Sequence, residues 1–177
     1  QSFYGRREVQ DILAYLRVLA NPSDDVSFRR IVNTPPRGLG QKALATLEQI
    51  AAEQHCPMRA ALGIAAGNDS LSRPLQGPIR RFHDQLTGWA EAMQPGHRTE
   101  ALERMLEDMD YQAELERVYR KEEQVQQRWE NAQEVVNSLA HFDKAGRGDL
   151  SDFLACTTLD ESGEGTPGLL AVYQDAT

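Results

Sequence analysis

An all-α fold is the class predicted for this chain, and three observations predict it. Apolar residues recur at steps of three and four through one stretch after another. No segment alternates apolar and polar residues with the β-branched enrichment of a strand. Clusters of Pro, Gly and Asn cut the periodic stretches into helix-sized lengths.

The first helix is expected from about Arg6 to Ala20, after Phe3 and Tyr4, with Val9, Ile12, Leu13, Leu16 and Leu19 as its apolar stripe. Arg6, Gln10 and Arg17 stand four and seven residues apart and share the opposite face. Asn21-Pro22-Ser23-Asp24-Asp25 ends this helix and offers caps to a short second one. After Pro35-Pro36 and Gly38-Leu39-Gly40, a third helix should turn Leu44, Leu47, Ile50 and Ala51 inward. Pro57 suits the first position of a fourth, short helix reaching Ile64. Residues 66–77 read as a loop, with Pro78 opening a longer helix that carries Ile79, Phe82, Leu86, Trp89 and Met93. Gln94-Pro95-Gly96-His97 breaks it, and Thr99 is expected to cap a helix bearing Leu102, Met105, Leu106 and Met109. Tyr111 to Tyr119 continues helically. The last long helix carries Val125, Trp129, Ala132, Val136 and Leu139, and both tryptophans are spaced as core residues. Gly146-Arg147-Gly148 stops it before a short helix with Phe153 and Leu154. From Asp160 to Gly168 there is nothing to bury, so the expected layout is one helical domain over residues 1–160 and a flexible tail over 161–177.

The segment from Asn33 to Leu47 carries most of the functional information. Two glycines flanking one aliphatic residue permit a tight turn with positive φ, while Leu39 plugs the turn into the core. Such a turn aims backbone N–H groups and the following helix N-terminus outward, a geometry that receives phosphate. Arg29, Arg30, Arg37 and Lys42 surround it. The pattern is that of a helix-hairpin-helix, which grips nucleic-acid backbone without reading bases. An ordinary glycine turn is the competing reading; the prolines, the flanking cations and the amphipathic helix that follows weigh against it.

Composition bounds the partners. The net charge of −8 hides an asymmetry, because residues 1–45 sum to +3 and the remainder to −11. A basic end on an acidic body suits a local phosphate contact and disfavours wrapping of nucleic acid around the whole surface. No apolar run approaches the roughly 20 residues of a membrane span. Cys56 and Cys156 stand far apart and read as reduced thiols of a cytoplasmic protein, without a disulfide framework or a zinc site. Beginning at Gln1 rather than Met, the chain reads as a piece of something longer. The sequence contains no Gly-x-x-x-x-Gly-Lys-Ser/Thr loop, no His-Glu-x-x-His, and no Ser or Cys in a nucleophile elbow near His55, His83, His97 or His141. No catalysis, metal or cofactor is expected in this chain.

The order of short motifs adds a resemblance. Phe3-Tyr4-Gly5-Arg6-Arg7-Glu8-Val9, Asp11-Ile12-Leu13-Ala14-Tyr15-Leu16-Arg17, Asn21-Pro22-Ser23-Asp24-Asp25 and Arg30-Ile31-Val32-Asn33-Thr34-Pro35 resemble the UvrD/Rep/PcrA family of superfamily-1 DNA helicases. Arg37-Gly38-Leu39-Gly40 is similar to that family's hairpin, and Arg128-x-Glu130-Asn131-x-x-Glu134 to its later signature. The resemblance covers residues 1–160 and implies the all-helical 2B subdomain, with Tyr173-Gln174-Asp175-Ala176 like the segment before the next motor motif. It implies that ATP and magnesium belong to absent motor domains and that the hairpin contacts double-stranded DNA at a single-strand/duplex junction. It further implies rigid-body rotation that regulates unwinding, and repair or replication proteins as partners near the nucleoid. The residues that match DNA-contacting positions are Arg17, Arg37, Gly38, Leu39, Gly40, Gln41 and Lys42. Ala43 and Gln10 depart from the hydroxyl and lysine of some members, which should weaken duplex contact. A different outcome is a protein-binding module that uses the acidic surface and keeps the hairpin only for folding.

Overall fold

The computed structural model describes residues 2–162, and every regular element among them is a helix. A 3-10 turn at Phe3–Gly5 leads into α1 (Arg7–Ala20), α2 (Asp25–Ile31), α3 (Gln41–Gln54), α4 (Met58–Ala66) and α5 (Arg73–Ala92). There follow α6 (Arg98–Asp108), α7 (Tyr111–Val118), α8 (Glu122–Lys144) and α9 (Leu150–Ser162). The expected all-α class is what is found. The tail expected over 161–177 falls, from residue 163 onward, outside the described residues, whereas α9 runs through Asp160 to Ser162. No helix among the described residues is long and apolar enough to cross a membrane.

The chain divides into two compact units, Arg17–Ala92 on the one hand and Gln1–Leu16 with Met93–Thr177 on the other. In the first, α4 packs against α3, α5 and α2. Small residues on α4, Ala61 and Ala65, are fully buried and let its neighbours approach; Phe28, Ile31, Leu47, Leu62, Ile79, Phe82 and Leu86 complete the core. The aspartate pair after Pro22 caps two helices. Asp24 accepts from the Ser27 N–H at 3.0 Å and from its hydroxyl at 2.7 Å, which starts α2. Asp25 reaches across to accept from the Met58 N–H at 2.9 Å, at the start of α4.

Helix α5 begins five residues earlier than the sequence indicates, at Arg73, with Pro78 inside it. The Ser72 carbonyl accepts from the N–H groups of Leu75 and Gln76 at 2.9 Å each, which sets the first turn. Pro74 lies in that turn, where no N–H is needed, and Pro78 forfeits only one bond. Gln76 then donates to the Asn68 carbonyl at 2.7 Å, and Arg80 to the Ala66 carbonyl at 2.8 Å and to Asp69 at 2.6 Å. The preceding loop is thus tied back onto the helix that was expected to start after it.

In the second unit α8 packs on α6 and α7, and α9 on the 3-10 turn. The buried stripe of α8 is Ala132, Val135, Val136, Leu139 and Phe142, joined by the polar Asn131 and Ser138. Val125 and Trp129 are only half-buried, unlike Trp89 in α5. His97, not Thr99, occupies the cap position of α6. Beside it, buried Arg98 donates to Asp143 at 2.7 Å and joins the start of α6 to the end of α8.

Candidate nucleic-acid interface

The segment between α2 and α3 is a turn braced from behind. Leu39 is 1% exposed and plugs into the core. Its carbonyl accepts from the Asn33 side-chain amide, and the Thr34–Pro35 peptide is cis. Arg37 is half-buried: its guanidinium donates to the carbonyls of Pro35 and Thr34 at 3.2 Å each and lies 4.1 Å from the centroid of the Phe82 ring. Gly38 has φ +79, the left-handed region that favours glycine. A β-carbon there would also stand 3.4 Å from Pro78 Cγ on α5.

Gly40 differs from Gly38. Its φ is −72 and ψ −170, ordinary extended backbone, and no atom lies within 4 Å of where its β-carbon would be. It needs neither positive φ nor close packing. Its place is the cap position of α3, where a glycine offers no side-chain acceptor to the first-turn N–H groups. Gln41 and Lys42 occupy that first turn and are exposed. Arg17 lies half-buried in the last turn of α1, within the same unit as the hairpin. Arg29 is exposed and bridged to Glu48 at 2.5 Å. The supports Pro78 and Phe82 lie some forty residues from the turn, and no sequence signal ties them to it; Asn33 lies inside the motif.

The site's charge follows the division into units. Arg17–Ala92 carries nine Arg and Lys against seven Asp and Glu, a net of +2, while the remainder carries ten against twenty. The basic excess therefore belongs to the hairpin's own unit.

A family model described as the UvrD-like helicase C-terminal domain matches residues 1–167. The chain belongs to that family. Among similar proteins, DNA helicase II of Escherichia coli is 30% identical over 180 residues, covering 98% of this chain and 24% of its own length. The ATP-dependent DNA helicase PcrA of Bacillus subtilis is 32% identical over 144 residues, 80% of this chain and 19% of that protein. PcrA of Staphylococcus aureus is 32% identical over 117 residues, 66% of this chain and 16% of that protein. The chain thus spans less than a quarter of the length of these relatives.

In this UvrD-like helicase domain Arg128 and Asn131 of the later signature join a polar cluster around Glu8 in the second unit, while Glu130 is exposed and accepts from Gln126 at 3.0 Å. Glu8, 4% exposed, accepts from the Asn131 amide at 2.5 Å, and Asn131 in turn accepts from Arg6 at 2.6 Å. Arg128 Nε lies 4.0 Å from the Glu8 carboxylate, and its guanidinium stacks 3.9 Å from the Tyr119 centroid. Tyr111 donates to the Glu8 carbonyl at 3.4 Å; burial, and then the nearby Asp11 and Glu8 charges, hold its phenol far above the ordinary value. The signature therefore ties the first helix to α8. The PcrA relatives are named as ATP-dependent DNA helicases. Among the described residues no three His, Cys, Asp or Glu side chains converge to hold a metal ion, and the sequence has no Walker-type loop.

Proposed function

We propose that residues 1–160 form the 2B subdomain of a UvrD-like DNA helicase, with residues 161–177 leading back toward a motor domain. In this reading the chain is an accessory module without catalysis of its own. Its Gly-Leu-Gly hairpin holds phosphates of double-stranded DNA at a single-strand/duplex junction, and its rigid-body rotation restrains or licenses unwinding. ATP hydrolysis with magnesium falls to the motor domains. The module works in the cytoplasm at the nucleoid, with repair or replication proteins as further partners.

The observation that carries the reading is the start of α3. A helix end without a side-chain cap, polarised positive by its own dipole, stands beside exposed Lys42 and is held rigidly by Leu39, Asn33 and Arg37. Backbone donors and one lysine match a phosphate and carry no base-reading pattern, so the contact positions without specifying. Within it Lys42, the amide of Gln41 and the backbone of Gly38–Gly40 face the phosphate, Leu39 and Arg37 fix the turn, and Arg17 supplies a second contact from α1.

Fluorescence anisotropy of a labelled blunt duplex tests this. Binding is expected at about 10⁻⁴–10⁻⁶ M at physiological salt without base preference, and Lys42→Ala should weaken it equally for all sequences. A strong base preference, or indifference to Lys42→Ala at low salt, overturns the reading. The acidic excess outside Arg17–Ala92 favours a second reading, a docking face for a basic protein partner. Complete absence of duplex binding at low salt would put that reading first.

A further inference from the structure

We propose that Arg81 on α5 is a phosphate-contacting residue of the hairpin surface, supplying a cation beside Gly38. The inference rests on the hairpin reading above and extends it to an element outside the motif. The turn lies along α5, with Gly38 against Pro78 and the Arg37 guanidinium over the Phe82 ring. Arg81 stands between those two contacts in sequence, three residues after Pro78, and is exposed.

Helical side chains lean toward the helix N-terminus, and Arg81 does so. Its Nη1 lies 3.4 Å from where a β-carbon of Gly77 would stand, so the guanidinium lies back along α5 over a residue with no side chain to lift it. That brings the charge to the level of Gly77 and Pro78, the level at which Gly38 meets the helix. Other arginines of this unit are engaged: Arg29 by Glu48, Arg37 by the turn carbonyls, Arg80 by Asp69 and the Ala66 carbonyl. Arg81 joins no hydrogen bond or ion pair among the described residues. Round the helix Arg81 flanks Pro78, so this long, exposed side chain can swing to a phosphate seated on the hairpin or to the next one along the strand.

The test is an anisotropy titration of a fluorescein-labelled blunt duplex across about 50–200 mM salt. The proteins are the unaltered chain, Arg81→Gln, Arg81→Lys and Lys42→Ala, each checked by thermal melting. Arg81→Gln should bind several-fold more weakly at low salt, equally for two unrelated duplex sequences, with an unchanged melting midpoint and a salt slope smaller by about one. Arg81→Lys should keep the slope, because a phosphate contact needs only a point charge. Wild-type binding by Arg81→Gln together with weakened binding by Lys42→Ala would overturn the role of Arg81 while leaving the hairpin reading in place. Wild-type binding by both variants would overturn the two together.

Discussion

At Gly38 the backbone sits at φ +79, and Pro78 Cγ is 3.4 Å from the missing β-carbon. Any side chain there meets left-handed strain of about 1–2 kcal/mol, and the tight approach to Pro78 adds to it. Gly38→Val is therefore expected to lower stability by about 2 kcal/mol or more in urea denaturation; an unchanged midpoint would show that the turn adapts. Arg37 is a second residue whose value lies in the fold. Its two carbonyl bonds and its stacking on Phe82 are lost in Arg37→Ala, at a cost of about 1–2 kcal/mol, whereas exposed Lys42→Ala should leave the denaturation midpoint in place. A loss of duplex affinity in Arg37→Ala must accordingly be read alongside its melting curve.

Between α4 and α5 a polar clasp sets the pH response of the hairpin's unit. Arg59 donates to His83 Nδ1 at 3.0 Å and to the Thr87 hydroxyl at 3.0 Å, which leaves the imidazole proton on Nε2. Burial first, then the Arg59 charge, holds His83 below its ordinary value, with Asp84 opposing. The unfolded chain takes up this proton before the folded one, so the contribution to stability is whole above about pH 6.5 and is lost as the pH falls below it. Urea midpoints are expected to drop more between about pH 7 and 5 in the unaltered chain than in His83→Gln, which still accepts from Arg59. Equal drops would remove His83 from the account. Element boundaries set by local chemistry were legible in the sequence: Asp24 before α2, the break at Gln94–His97, and Gly146–Gly148 after α8. What was not legible depends on distant partners. The start of α5 before Pro78 is held by Asn68, Ala66 and Asp69, the capping of α4 by Asp25 crosses thirty-three residues, and the bracing of Gly38 by Pro78 crosses forty. Periodicity also misplaced the buried stripe of α3, where Ala43 and Leu47 are buried and Leu44, Ile50 and Ala51 only half so.

Over the whole molecule, charge limits how much duplex the chain can engage. The hairpin's unit has a net of +2 and the remaining residues carry twice as many acids as bases, so two or three neutralised phosphates are all that the proposed contacts supply. Raising salt from about 50 to 200 mM should then weaken duplex binding by about ten- to fortyfold, far less than the thousandfold or more of a protein with six to ten phosphate contacts. A titration that shows the steeper loss would require a second basic surface. The same partition sets the direction of nonspecific effects, because the acidic remainder of the chain should repel polyanions while the unit Arg17–Ala92 does not.

Leaving glycine at the head of α3 sacrifices a stabilisation that Ser or Asp would give at no steric risk, since nothing crowds the position. The vacancy is a trade between durability and recognition: an aspartate there would supply internally the anion that the reading assigns to DNA. Gly40→Asp is thus expected to raise the melting midpoint slightly and to depress duplex affinity, two effects of opposite sign from one carboxylate. An unchanged or increased duplex affinity would show that the helix end is not the seat of the phosphate.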